Sequence, residues 1–187
     1  MLYYSTVNKL LKESLIQLMQ SKIFDDFRLV GGTALSLQIG HRESIDIDMF
    51  SDADYGSLDF RAIEIYLKDN FQYVDFLDTI PAMGKSYSIG ENKENTVKLD
   101  LYYTDDYIQP AIEVDGIRMA TIEEIIAMKL EVIQGGGRKK DFWDLHDLLD
   151  SYTISQMLDL HEQRYPYSHD KDLIIQNLTS FEQADED

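Results

Sequence analysis

Residues 29–50, Leu-Val-Gly-Gly-Thr-Ala-Leu-Ser-Leu-Gln-Ile-Gly-His-Arg-Glu-Ser-Ile-Asp-Ile-Asp-Met-Phe, constrain the fold more than any other stretch of the chain. Ile45 to Phe50 alternates with period two. That predicts a strand with Ile45, Ile47 and Met49 on one face and Asp46 and Asp48 on the other. Two carboxylates sharing a face repel each other unless a cation or strong donors neutralise them. Such a strand must bury one side in a core and turn the other toward water or a positive partner. Upstream, Phe27–Val30 is a short apolar run ending at Gly31-Gly32, and Thr33 to Ile39 predicts a short helix closed by Gly40.

The remaining periodicities fill in the architecture. Asn8 to Lys22 predicts an amphipathic helix with Leu10, Leu11, Leu15, Leu18 and Met19 on one face. Ser57 to Asn70 is helical in pattern. Phe71–Leu77, Lys85–Ile89 and Thr96–Tyr103 read as strands, with a polar hairpin turn at Glu91–Asn95. Asp115-Gly116 inside Val114–Met119 marks another hairpin. From Thr121 onward the pattern is helical, with helices expected at Asp141–Leu149, Ile154–His161 and Asp170–Leu178 and a frayed acidic tail at Glu182–Asp187. The expectation is an α+β fold, a mixed sheet with helices packed on it over residues 1–120, followed by a helical region over 121–187.

Charge narrows the function. The 187 residues carry 17 bases against 35 acids, a net charge of −18, which excludes a protein that coats nucleic acid non-specifically. The excess is uneven: residues 1–50 are close to neutral at −1, whereas 51–120 carry −8, 121–150 carry −3 and 151–187 carry −6. A local basic site is therefore still allowed. With no cysteine there is no disulfide framework and no thiolate metal site. No apolar stretch reaches the ~18 residues of a membrane helix, and the N-terminus lacks the basic and apolar segments of a signal peptide. A cytoplasmic protein without membrane attachment is expected.

The chemistry concentrates on three acids and a turn. Asp46 and Asp48 offer hard oxygen ligands that suit Mg²⁺, or Mn²⁺; the plain alternative is an edge strand with both acids in water. Gly31-Gly32 lets a ligand approach the backbone, and the first helical turn after it presents N–H groups and a positive dipole end, with Thr33 adding a hydroxyl. Together these make an anion site, whereas alone they make a tight turn with a cap. Phosphoryl chemistry beside a metal pair calls for a third carboxylate, and Asp100 in Val-Lys-Leu-Asp-Leu-Tyr-Tyr is the best candidate, with Asp75 a weaker one. Gly135 to Arg138 is not a P-loop, because it follows a helix and lacks the Gly-Lys-Ser/Thr ending.

The Gly-Gly-Thr, spacer, Asp-x-Asp arrangement resembles the first motif of nucleotidyltransferases of the DNA polymerase β superfamily. The longer form, with His41, Arg42, Ser44, Asp46, Asp48 and Phe50, resembles the AbiEii/AbiGii abortive-infection toxin family, as does Ile122–Leu149 with its Met-Lys on a helix and its basic cluster followed by Asp-Phe-Trp-Asp-Leu.

The resemblance implies a polymerase-β-like core and transfer of a nucleoside monophosphate from an NTP to an acceptor hydroxyl. It implies that Gly31, Gly32 and Thr33 hold the triphosphate, and that Asp46 and Asp48 bind Mg²⁺ with Asp100 as the third acid. Lys129 would then reach a phosphate, and Asp141, or alternatively Asp144, would match the last acidic position. Beside such a site, Arg138, Lys139 and Lys140 become contacts for nucleotide or RNA phosphates. The acceptor it implies is RNA, such as a tRNA end, or a protein side chain, and the partner is an antitoxin protein.

Arg42 and Ser44 support the metal carboxylates in this reading, while the plainer role of Arg42 is to pair with Glu43 or Asp46 and hold the loop. Trp143, Tyr102 and Tyr103 are expected in packing, and His41, His146, His161 and His169 in structural or surface positions. Two other classes remain open: a nucleotide-binding or partner-regulated module without catalysis, and a phosphohydrolase using the same acids on water.

Overall fold

The strand carrying the Asp-x-Asp pattern, β2 (Asp46–Ser51), occupies the middle of a seven-stranded mixed sheet. A computed structural model of the chain describes residues 1–180, so the acidic tail expected at Glu182–Asp187 lies outside the described residues. Along β2 every second side chain is buried: Ile47, Met49 and Ser51 turn inward, and Asp46, Asp48 and Phe50 are half-exposed. Ile45, expected on the inner face, is 68% exposed, because the strand starts one residue later.

The other strands are β1 (Arg28–Leu29), β3 (Tyr73–Asp75), β4 (Gly84–Asn92), β5 (Asn95–Tyr103), β6 (Ile112–Val114) and β7 (Ile117–Met119), in the order β3-β4-β5-β2-β1-β7-β6. β2 and β5 run parallel, β1 and β7 also, and the remaining neighbours are antiparallel. The β6–β7 turn places Asp115 at φ 54° and Gly116 at φ 77°, the two left-handed residues that the Asp-Gly pair supplies to a primed turn.

Helices α1 (Lys9–Met19), α2 (Gly31–Ile39) and α3 (Phe60–Asn70) belong to the same compact unit as the sheet, residues 1–104 with 111–119. Asn8 caps α1, its side-chain oxygen accepting from the Leu11 N–H at 2.8 Å. Leu11, Leu15 and Leu18 from α1, Leu35 and Leu37 from α2, and Leu99 and Leu101 from β5 are buried with Ile47 and Met49. Removing this apolar area from water is the main stabilisation of the unit.

The second unit comprises residues 105–110 and the chain from Ala120 onward, with helices α4 (Ile122–Gln134), α5 (Lys139–His146), α6 (Ile154–Arg164) and α7 (Lys171–Leu178). Thr121, Thr153 and Asp170 cap α4, α6 and α7. The segment 105–110 joins the helices through a buried pair: Arg164 Nη1 lies 2.7 Å from Glu124 Oε2, and the same guanidinium donates to the carbonyls of Asp105 and Asp106. Glu124 in turn accepts from the Gln109 N–H at 2.6 Å. Among the described residues no helix is long and apolar enough to cross a membrane.

Candidate active site

The parallel pairing of β2 with β5 sets Asp46 beside Lys98 and Asp48 beside Asp100. Side chains alternate along a strand and neighbouring strands lie about 4.8 Å apart, so these four charged groups form one patch on one face of the sheet. Ser86 on β4 continues the row next to Asp100. Asp75 instead sits on edge strand β3, with β4 and β5 between it and β2.

Lys98 Nζ donates to Asp100 Oδ2 at 2.6 Å. That hydrogen bond, with the charges of Asp100, Asp48 and Asp46, holds the ammonium above the ordinary lysine value against a smaller opposing effect of burial. Among the described residues the other carboxylate oxygen of Asp100, Oδ1, is buried and accepts no hydrogen bond.

Against this patch stands the glycine turn. Gly31 opens α2 at φ 68°, and a Cβ there would come within 2.7 Å of Asp48 Oδ2. A Cβ at Gly32 would come within 2.5 Å of Arg42 Nη2. The two glycines thus let a carboxylate and a guanidinium both rest on the first turn of the helix. The helix starts at Gly31, two residues before the expected Thr33, because glycine tolerates the left-handed conformation there.

Thr33 is buried, and its hydroxyl donates to the Asp46 carbonyl and lies 2.8 Å from Ser44 Oγ. The hydroxyl expected to face a ligand therefore clamps the start of β2. The first-turn N–H groups of α2 have no acceptor within the helix, the general feature of helix starts that lets them meet an anion. Arg42 Nη1 donates to the Glu43 carbonyl at 2.9 Å, and Ser44 is fixed by its N–H to the Thr6 carbonyl.

Within the helical unit, Lys129 is 5% exposed, and its Nζ lies 2.7 Å from Asp141 Oδ1 and 2.6 Å from Asp144 Oδ2, carboxylates of residues 1% and 0% exposed. Both acids left open by the sequence hold the same lysine, because residues three apart on α5 share a face. Asp141 Oδ2 also accepts from Arg138, at Nε (3.2 Å) and at the backbone N–H (3.3 Å). Lys139 sits over the Trp143 ring at 5.9 Å, and Lys140 is half-buried. Trp143, expected in packing, is 55% exposed on the wall of an apolar cavity of about 520 Å³ between α5, α6 and α7.

Sequence spacing gave no sign of one further cluster. His161 is buried, with Nε2 2.8 Å from Glu131 Oε2 and Nδ1 2.8 Å from His169 Nδ1. An ionised carboxylate only accepts, so His161 carries its proton on Nε2 and takes a hydrogen bond from His169 at Nδ1. Burial pushes His161 below the usual histidine value; Glu131 opposes this and His169 adds to it. Lys98, by contrast, lies two residues before Asp100 in the same strand, so period-two alternation by itself puts the two on one face.

Residues 14–187 match the family described as nucleotidyl transferase AbiEii toxin, type IV toxin–antitoxin system. An uncharacterised protein of Aquifex aeolicus is 28% identical over 184 residues, covering 94% of this chain and 84% of that protein. Among solved structures, JHP933 of Helicobacter pylori aligns with a TM-score of 0.57 at 24% identity, over 88% of this chain and 76% of that one. MenT4, a nucleotidyltransferase toxin of Mycobacterium tuberculosis, aligns with a TM-score of 0.53 at 16% identity, over 79% and 59%. At these identities the structural matches establish a shared fold.

Proposed function

The chain belongs to the AbiEii family of nucleotidyl transferase toxins, and from that premise we propose that it transfers a nucleoside monophosphate from an NTP to an acceptor hydroxyl with a divalent metal, Mg²⁺ or Mn²⁺. The observation that carries the reading is the juxtaposition of Asp48 with both Asp100 and the first turn of α2. One side of Asp48 faces a place for a cation and the other a place for phosphate. The donor set fits a hard divalent ion. Mg²⁺ is usually held by one or two carboxylates together with substrate phosphates rather than by an all-protein cage. Among the described residues no three acidic or imidazole side chains are gathered into a metal site by themselves, so in this reading substrate phosphates and water would complete the shell. The buried, unpaired Oδ1 of Asp100 is an acceptor waiting for a positive partner.

Asp46 and Asp48 would hold the metal with help from Asp100, and the ion would neutralise charge on the phosphates. The α2 N–H groups at Gly31, Gly32 and Thr33, with the Arg42 guanidinium, bind and orient the triphosphate. Thr33 and Ser44 act by fixing the backbone of β2 under Asp46. Asp100 accepts the proton of the attacking hydroxyl. The new bond forms between the acceptor oxygen and the α-phosphorus, the bond to the bridging oxygen breaks, and pyrophosphate leaves. Positioning and charge neutralisation supply most of the rate enhancement in such a transfer.

In the helical unit, Lys129 is a cation held by Asp141 and Asp144, so its part in phosphate binding depends on those two acids. Arg138, Lys139 and Lys140 form a local cationic segment for nucleotide or RNA phosphates in an otherwise acidic protein. The acceptor class is RNA, such as a tRNA end, or a protein hydroxyl, and the partner is an antitoxin.

Incubation with each labelled NTP and Mg²⁺, against bulk tRNA and against the protein itself, tests the reading. Label transfer that is lost in Asp48→Asn supports it. Release of inorganic phosphate without transfer would replace it with a phosphohydrolase, and no turnover at all would leave a binding module.

A further inference from the structure

Three carboxylates and one ammonium share the β2–β5 patch, and the ammonium is attached at a particular point. Lys98 sits directly across from Asp46 and two residues before Asp100, yet its Nζ goes to Asp100 Oδ2 at 2.6 Å. The two partners differ in freedom: the Lys98 side chain is 54% exposed and the Asp100 side chain 15%. The carboxylate is fixed in the sheet face with one oxygen buried and unpaired, while the lysine reaches it from solvent on a flexible four-carbon stem. A fixed, half-satisfied carboxylate next to two others needs a cation. Lys98 is the cation that β5 itself brings to Asp100, and its half-exposed side chain has room to swing away.

We propose that Lys98 is a resident counter-cation that occupies the Asp100 carboxylate until a divalent ion takes its place, so that metal binding and displacement of Lys98 are a single exchange. The proposal rests on the reading of Asp46, Asp48 and Asp100 as metal ligands. Lys98 then sets how much free metal the site requires. It weakens the bare site for divalent ions while keeping the metal-free sheet from paying the full repulsion of three adjacent acids. A lysine that merely braced β5 would instead affect stability and leave metal affinity alone.

The test is Mn²⁺ binding to the full chain without nucleotide, read by titration calorimetry and by the electron paramagnetic resonance signal of free Mn²⁺. Wild type is compared with Lys98→Met, Lys98→Gln and Asp48→Asn. Removal of the ammonium in either Lys98 variant should tighten Mn²⁺ binding at least about fivefold. It should also lower the melting temperature of the metal-free protein and enlarge the upward shift that Mn²⁺ produces. Equal or weaker Mn²⁺ binding in both Lys98 variants, with wild-type binding that depends on Asp48, overturns the exchange and leaves the metal site standing. Absence of Mn²⁺ binding in wild type and both Lys98 variants overturns both. Circular dichroism of each variant confirms that the fold is retained, and the two Lys98 substitutions differ in polarity, so a packing defect in one does not decide the outcome.

Discussion

Lys129 Nζ and Asp144 Oδ2 lie 2.6 Å apart with both side chains almost completely buried. Two charges withdrawn from water in this way hold each other in place, and Asp141 completes the arrangement by accepting from the same ammonium. The lysine is thus both the group that the family resemblance implies for phosphate and the centre of a buried ion cluster in the helical unit.

The cluster predicts a stability cost that must be separated from any catalytic one. Lys129→Met takes the shared ammonium away from two buried carboxylates, of which Asp141 keeps Arg138, and should cost about 3–5 kcal/mol in urea unfolding. The triple variant Lys129→Met, Asp141→Asn, Asp144→Asn removes all the charges and should recover part of that loss. A single variant with wild-type stability would show that the pair is readily replaced by water.

The two glycines of the turn should respond differently to alanine. Gly31→Ala forces a left-handed residue and drives a methyl group toward Asp48, so it should cost about 1–2 kcal/mol from the backbone alone and weaken metal binding as well. Gly32→Ala meets the far end of Arg42, a side chain that can move. Its effect should fall on nucleotide binding, with KM for the NTP raised about tenfold, the equivalent of ~1.4 kcal/mol. Steady-state kinetics and denaturation of the two variants distinguish these outcomes, and a larger stability loss in Gly32→Ala would contradict the assignment.

Asp100→Asn keeps the shape of the side chain and removes the proton acceptor. It should lower kcat by about 10²-fold or more. The metal-free fold should survive, since one of three neighbouring acids has been neutralised. A variant with undiminished kcat would remove Asp100 from the reaction.

His161 predicts a pH dependence of stability. Burial holds its folded value below 6.5, with Glu131, His169 and the Tyr165 ring as its neighbours. The unfolded chain therefore binds the proton more readily than the folded one. The stability contributed by neutral His161 is complete above about pH 6.5 and is lost as pH falls through the lower folded value. Urea midpoints from pH 7.5 to 5 should fall more steeply for wild type than for His161→Gln. Parallel curves would show that the histidine does not titrate in this window.

Local pattern made much of the site legible in advance. The period-two run around Asp46 and Asp48 and the place of Asp100 in an apolar strand each state which face a side chain occupies, because strand geometry alone decides that, and Gly31-Gly32 mark the turn that opens α2. The Asp-Gly hairpin and the Thr121 helix start were readable for the same reason: each satisfies a backbone requirement within a few residues, whereas Asn8 and Asp170, expected inside their helices, cap them. Ile45 was misread because a strand boundary depends on where pairing starts, and pairing is not local.

By itself the sequence determined the α+β class, the acid-bearing face of β2 and the family to which the chain belongs. Only the tertiary structure decided that β5 lies parallel beside β2, bringing Asp100 and Lys98 to Asp46 and Asp48. Likewise, only it decided that Thr33 turns inward, that Asp141 and Asp144 share Lys129, and that His161 bridges Glu131 and His169. The division has one physical cause. Periodicity and capping are set by neighbours along the chain. Which charges meet, and which protons they hold, is set by burial and by partners distant in sequence that come together only when the core closes.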